Sequence, residues 1–497
     1  MNGQLPQQPS RRIRRWTRCA LAAATVSAVA LTGCSTVSGQ AVSSLYNPNS
    51  VGGLPVAEGP SGLRPDAPQP TGDVENTDDG PMDNLALSSV NDVQQYWEEH
   101  YGDALDGTFE PITNLVSYDS EDPFGPVICG MDPYGEPNAF FCPKADMMAW
   151  DRGVLVPTGD KFFGQTSIAA LIAHEYGHAV QNMADLVDRS TPTIVREQQA
   201  DCFAGNYIRW VAEGSSPRFS LSTGEGLNKV LAAAITIRDP VLTPDDVEML
   251  EEGHGTALDR ISAFQTGFVD GPTACAAIDL EKIEESRGDL PIVLTVDDSG
   301  AIQTGDAPVG EELVHLLIEL LNFQFKPAEP PTLSLRSPTE QPCPDAKPTE
   351  PAAYCPATNT IIVDLPALQA LGTPADEGEN VLVQGDNTAM SVLTSRYMLA
   401  LQHQRGTQLD TAATALRTAC LTGIGQHHMA SDVKLPSGKS LVLTAGDLDE
   451  AVAGLLNNGL AASDVNGNTV AAGFTRIMAY RSGLINPDVD ACYQRFP

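Results

Sequence analysis

Four cysteines recur in two sets with nearly the same spacing, and that recurrence limits the folds open to this 497-residue chain. Cys129 and Cys142, the latter followed by Pro143, return as Cys343 and Cys355, the latter followed by Pro356. Cys202 and Cys275 are 73 positions apart; Cys420 and Cys492 are 72 apart. Between these points Asp151 is matched by Asp364 and Arg260-Ile-Ser-Ala-Phe-Gln-Thr-Gly-Phe268 by Arg476-Ile-Met-Ala-Tyr-Arg-Ser-Gly-Leu484. Shared order and spacing predict an internal duplication. A first unit is expected over residues 87–285, a linker over 286–310 and a second unit over 311–497, a length that fits separate domains. Four cysteines per unit allow three connectivities. Cys129–Cys142, Cys343–Cys355, Cys202–Cys275 and Cys420–Cys492 preserve both intervals, and each longer bridge contributes about 3–5 kcal/mol in a chain-entropy account.

The first unit carries the chemistry. Residues 174–178 read His-Glu-Tyr-Gly-His, preceded by Ser167-Ile-Ala-Ala-Leu-Ile-Ala and followed by Ala179-Val180, with no proline to break a helix. One turn apart on that helix, His174 and His178 face the same way and can grip one tetrahedral zinc ion. Glu175 then stands beside the open coordination position, where a water would sit. A third ligand is expected from Glu197-Gln-Gln-Ala-Asp201, also one turn apart on a second helix running through Trp210. One of these carboxylates can bind the metal while the other accepts the outer N–H of a ligating histidine. Upstream, Ser89–Tyr101 reads as an amphipathic helix capped by Ser89, and Thr113–Tyr118 and Phe140–Trp150 read as strand candidates.

These motifs resemble the neutral zinc metallopeptidase family, a gluzincin-type group. The resemblance rests on His174-Glu-Tyr-Gly-His-Ala-Val-Gln181 and Arg196-Glu-Gln-Gln-Ala-Asp-Cys-Phe-Ala-Gly205. It extends to His254-Gly-Thr256, Arg260, Phe264, Gly267, Ala274-Cys275, Val93 to Trp97, Cys129, Phe141-Cys-Pro143 and Asp151, about 190 residues in all. It implies an α+β, mainly helical, zincin-like domain in which His174, His178 and Glu197 bind Zn2+ and Glu175 is the catalytic base. Asp201 would then orient a ligating histidine. His254 is a candidate donor to a developing oxyanion, with a helix-capping or core-polar role as its alternative; Tyr176 and Tyr207 are weaker candidates.

The second unit keeps the framework and loses the ligands. Ser395, Arg396 and Leu399 stand where His174, Glu175 and His178 are expected, and Ala415 and Ala419 stand opposite Glu197 and Asp201. A degenerate, non-catalytic tandem copy is therefore expected. Cys420 persists where every ligand is gone, which argues that Cys202 is structural rather than a metal ligand.

Residues 1–33 contain no acid, carry five arginines and end in an apolar stretch too short to span a bilayer, which reads as a signal peptide. Leu31-Thr-Gly-Cys34 looks like a bacterial lipobox, with Cys34 as the lipidated residue. Residues 34–86, rich in Ser, Gly, Pro, Asn and Asp, read as a disordered tether. Without the leader's arginines the chain has 24 Lys and Arg against 64 Asp and Glu, a formal net charge of −40. That surface repels nucleic acid and anionic lipid headgroups, so neither is an expected direct partner.

The expectation is a lipid-anchored zinc peptidase on the extracytoplasmic face of a bacterial cell membrane, acting on peptide or protein substrates of the cell envelope. Two competing readings are a binding or scaffolding lipoprotein with a structural zinc and an amidase acting on cell-wall peptides. Glu175 separates the first, since a structural site has no use for a carboxylate beside the metal.

Overall fold

The computed structural model describes residues 46–497 except 297–299, 303–304, 377 and 379–380. The expected signal peptide, Cys34 and the tether's first residues lie outside the described residues. The described residues open with four short strands, β1 (Ser50–Val51), β2 (Leu54–Pro55), β3 (Gly62–Leu63) and β4 (Val74–Glu75). Helix α1 (Pro81–Ala104) leads to β5 (Asn114–Tyr118), β6 (Ala139–Cys142) and β7 (Met147–Asp151). Then come α2 (Leu155–Phe163), α3 (Gln165–Met183), α4 (Thr193–Ala212), β8 (Phe219–Ser220), α5 (Glu225–Thr236), α6 (Met249–Glu252), α7 (Ala257–Asp270), α8 (Pro272–Ala276) and α9 (Leu280–Arg287). The remainder consists of α10 (Glu311–Phe325), β9 (Thr332–Ser334), β10 (Ala352–Cys355), β11 (Thr360–Val363), α11 (Leu365–Leu371), α12 (Asp386–Gln404), α13 (Ala412–Met429), α14 (Asp447–Asn457), α15 (Gly473–Ile485) and α16 (Val489–Arg495). The architecture is α+β.

Three local expectations are corrected. Helix α1 starts at Pro81, not Ser89, whose hydroxyl donates back to the Leu85 carbonyl inside the helix. Buried Asp83 explains the earlier start: it accepts from Thr77 Oγ1, the Asp78 amide and Trp150 Nε1, tying the first turn to the sheet. The Phe140–Trp150 run is a hairpin, turned by Asp146 at φ 47°, a conformation that Asp and Asn tolerate. The tether reading fails for residues 46–80. There β1 pairs with β2, β3 with β8 and β4 with β5, and Arg64 donates to the Ser216 and Phe219 carbonyls. Backbone pairing of this kind needs no apolar period, so the composition did not reveal it.

The sheet order β4-β5-β7-β6 has β5 parallel to β7 and β6 antiparallel to it. In the second half the order β9-β11-β10 has the same relative directions, and Asn359, at φ 45°, turns its hairpin at the position of Asp146. All four expected disulfides form: Cys129–Cys142, Cys202–Cys275, Cys343–Cys355 and Cys420–Cys492. Helices α4 and α7 touch backbone to backbone: a Cβ at Gly205 would overlap the Phe264 carbonyl, and one at Gly267 the Cys202 carbonyl. Helices α13 and α15 repeat this contact through Gly423 against Tyr480 and Gly483 against Cys420. Crossings this close require glycine.

The two halves are not separate bodies. Val42–Pro497 form one compact unit with a hydrophobic core shared by residues of both. Phe268 packs on Phe474 with ring centroids 4.9 Å apart, and Gln265 donates to the Phe474 carbonyl. Among the described residues, no helix is long and apolar enough to cross a membrane.

Candidate metal centre

Helices α3 and α4 bring the expected ligands together because small residues meet where they cross. A Cβ on Gly177 would lie 3.0 Å from the Ala200 Cα, so the two backbones approach closely at this point. Gly177 lies between His174 and His178; Ala200 lies between Glu197 and Asp201. The crossing therefore aims both ligand pairs at one space. His174, Glu175, Glu197 and Asp201 are buried there and His178 is half-buried.

His174 Nε2 lies 3.1 Å from Glu197 Oε2, and His178 Nε2 lies 3.5 Å from Glu197 Oε1. A tetrahedral zinc ion at ordinary bond lengths places its donors about 3.3 Å apart, so these side chains fit the ion. His174, His178 and Glu197 each offer a donor atom, all within 4.8 Å of one another. Of the other two cation-like groups among the described residues, Cys343, Asp345 and Cys355 is spent, because its thiols are joined in a disulfide.

Each histidine is also held from behind. Asp201 Oδ1 lies 2.8 Å from His174 Nδ1, and Arg260 Nη2 donates to that same oxygen at 2.7 Å. Arg260, itself buried, reaches on to the Ile237 carbonyl at 2.8 Å. His178 Nδ1 lies 3.1 Å from Gln181 Oε1, while the Gln181 amide donates to the Arg196 carbonyl and Gln199 Oε1. Such partners fix the ring orientation and leave Nε2 for the metal.

Burial raises the Glu175 carboxyl above its ordinary range, partly offset by His174 and His178. Burial would also raise Asp201, but Arg260 and His174 more than compensate and hold it low. His254, with half its side chain exposed, stands at the rim: its Nε2 is 3.7 Å from Glu197 Oε2 and its Nδ1 is 3.4 Å from Asp239 Oδ1. The Asp239 hydrogen bond raises the imidazole's pKa, more than burial lowers it. The alternative capping role does not hold, because Thr256 and Asp259 form the capping box of α7.

The two tyrosines are elsewhere. Tyr176 accepts from the Ile112 amide in the core, and Tyr207 donates to Asp92. Sequence reasoning missed the partners Gln181 and Asp239, and the pairing of Arg260 with Asp201. Gln181 had a signal, since it lies one turn after His178 on the same helix.

Residues 41–278 match a family model described as "Putative neutral zinc metallopeptidase". The uncharacterized proteins Rv2575 of Mycobacterium tuberculosis and Mb2605 of Mycobacterium bovis are each 27% identical to this chain over 215 residues. The alignment spans 38% of this chain and 68% of each relative. No solved structure matches the chain significantly. The family match supports a zinc-dependent protease in general terms, hence a hydrolase that uses Zn2+.

Proposed function

We propose that the protein is a zinc metallopeptidase of the bacterial cell envelope, with Glu175 as general base and His174, His178 and Glu197 as metal ligands. The observation that carries this reading is the convergence of three donors on one point, with Glu175 buried beside them and His174 braced by Asp201 and Arg260. Zinc, when bound, supplies a Lewis acid that polarises a water and the scissile carbonyl. Glu175 takes a proton from that water and passes it to the departing amine. His254 donates from Nε2 toward the oxygen on which charge develops. A structural zinc would call for a fourth protein ligand and no adjacent base; here the base is present and the rim is open at His254.

The second half is read as a degenerate tandem copy. Matching strand directions, hairpin turns, disulfides and glycine contacts support that reading. In place of Glu175, buried Arg396 donates to Ser463 Oγ and the Leu460 carbonyl. Attachment to the extracytoplasmic membrane face through Cys34 completes the proposal, and Cys34→Ala should release the chain from the membrane fraction.

The test is cleavage profiling of an extracytoplasmic proteome by the zinc-loaded full chain. Peptide-bond cleavage that stops on chelation is expected. Cleavage confined to cell-wall peptides would favour the amidase alternative, and no cleavage of either would favour the scaffold.

A further inference from the structure

Asp449, in the first turn of α14, belongs to the half of the chain that does not contribute His174, His178 or Glu197, yet its carboxylate reaches the loop that carries His254. Its Oδ1 accepts from the Ala257 amide at 3.0 Å, the first residue of α7 and three positions beyond His254. Its Oδ2 accepts from Arg238 Nε at 3.1 Å, and both side chains are 7% exposed. Arg238 directly precedes Asp239, the partner of His254 Nδ1. The loop between these anchors is tightly cross-linked. Asp239 Oδ2 accepts from the Gly255 amide at 2.7 Å, and the Asp239 amide donates to the Gly255 carbonyl at 3.1 Å. Gly255 itself sits at φ 101°, so the turn has one residue type it can use.

Both segments of the His254 wall are thus pinned by one carboxylate from the other half of the molecule. We infer that Asp449 is a positioning residue for the reaction: it sets where the His254 imidazole stands relative to the metal ligands. This rests on the hydrolytic reading above. It gives the second half a task in catalysis, because a donor aimed at a developing charge loses its effect when it moves by about 1 Å. Within the wall's own half, Gln198 Nε2 holds the His254 carbonyl at 3.0 Å, Arg287 holds Asp259 and Arg238 Nη1 donates to the Ile235 carbonyl at 3.4 Å; Asp449 adds the link between Arg238 and the Ala257 amide.

Asp449→Asn keeps the shape and can still accept from Ala257, while it turns a neutral group toward Arg238. In the zinc-loaded full chain it should lower kcat about 10- to 100-fold, with zinc content and KM close to wild type. The same substitution made on top of His254→Ala should cost nothing further, which a general loss of structure would not produce. Independently of activity, amide hydrogen exchange across residues 253–258 should speed up in Asp449→Asn while exchange in α3 and α4 stays slow. If Asp449→Asn does not fold, Arg238→Lys, which keeps the charge opposite Asp449, should show the same epistasis with a smaller loss. Unchanged exchange with unchanged kcat would overturn the inference, as would a loss that multiplies with that of His254→Ala. A wild-type chain that binds zinc and cleaves nothing would instead overturn the functional reading, whichever way the loop behaves.

Discussion

Arg260 donates to the Asp201 oxygen that faces His174, at 2.7 Å, with both side chains almost wholly out of solvent. A buried carboxylate that braces a metal ligand needs its own counter-charge, and Arg260 supplies it. Asp201→Ala should lower zinc affinity about 10- to 100-fold. Arg260→Gln should do the same and also destabilise the fold by about 3–5 kcal/mol, because it strands the Asp201 charge. Competition with a chelator of known affinity reads the first effect, and denaturant unfolding reads the second.

Gly177 has no room for a side chain against Ala200. Gly177→Ala must push α3 from α4 by a few tenths of an ångström, which should cost about 1–3 kcal/mol and weaken zinc binding as the ligand pairs separate. A variant with wild-type unfolding midpoint and zinc affinity would show that the crossing is looser than its geometry.

The acids around the start of α12 predict a pH dependence of stability. Burial raises Glu450 to about 9 and Asp386 to about 6, and raises Asp447 as well. The folded chain therefore keeps protons that the unfolded chain releases. That contribution is complete below the ordinary carboxylate range and is lost as pH rises through the folded values. Between about pH 5 and pH 9 the melting temperature should fall, and Glu450→Gln should flatten the fall and melt a few degrees higher at the alkaline end. An identical pH profile for wild type and Glu450→Gln would contradict this.

Metal analysis of the full chain should give one zinc per molecule. His174→Ala should bring it near zero, since Ser395, Arg396 and Leu399 stand where the second half would need His174, Glu175 and His178. A stoichiometry near two would reveal another site.

Much of the centre was legible because helical period alone puts His174 with His178 and Glu197 with Asp201. The disulfides were legible because the chain states their spacing twice. What escaped depends on long-range approach. Arg260 meets Asp201 across 59 positions, and Asp449 meets Ala257 across 192; no local pattern encodes such pairs. The tether was misread for a related reason, since residues 46–80 are held through backbone groups and isolated side chains such as Val51 rather than through a periodic apolar face. Ser89 looked like a cap because the anchoring of Asp83 by Trp150 is invisible until the sheet folds.

The central claim is that Glu175 moves the proton in a zinc-dependent hydrolysis. The most direct test compares zinc content and peptide-bond cleavage in wild type and Glu175→Gln. The account predicts equal zinc in both proteins, with cleavage by the variant reduced by at least about 100-fold. Substantial cleavage by a zinc-loaded Glu175→Gln would contradict it.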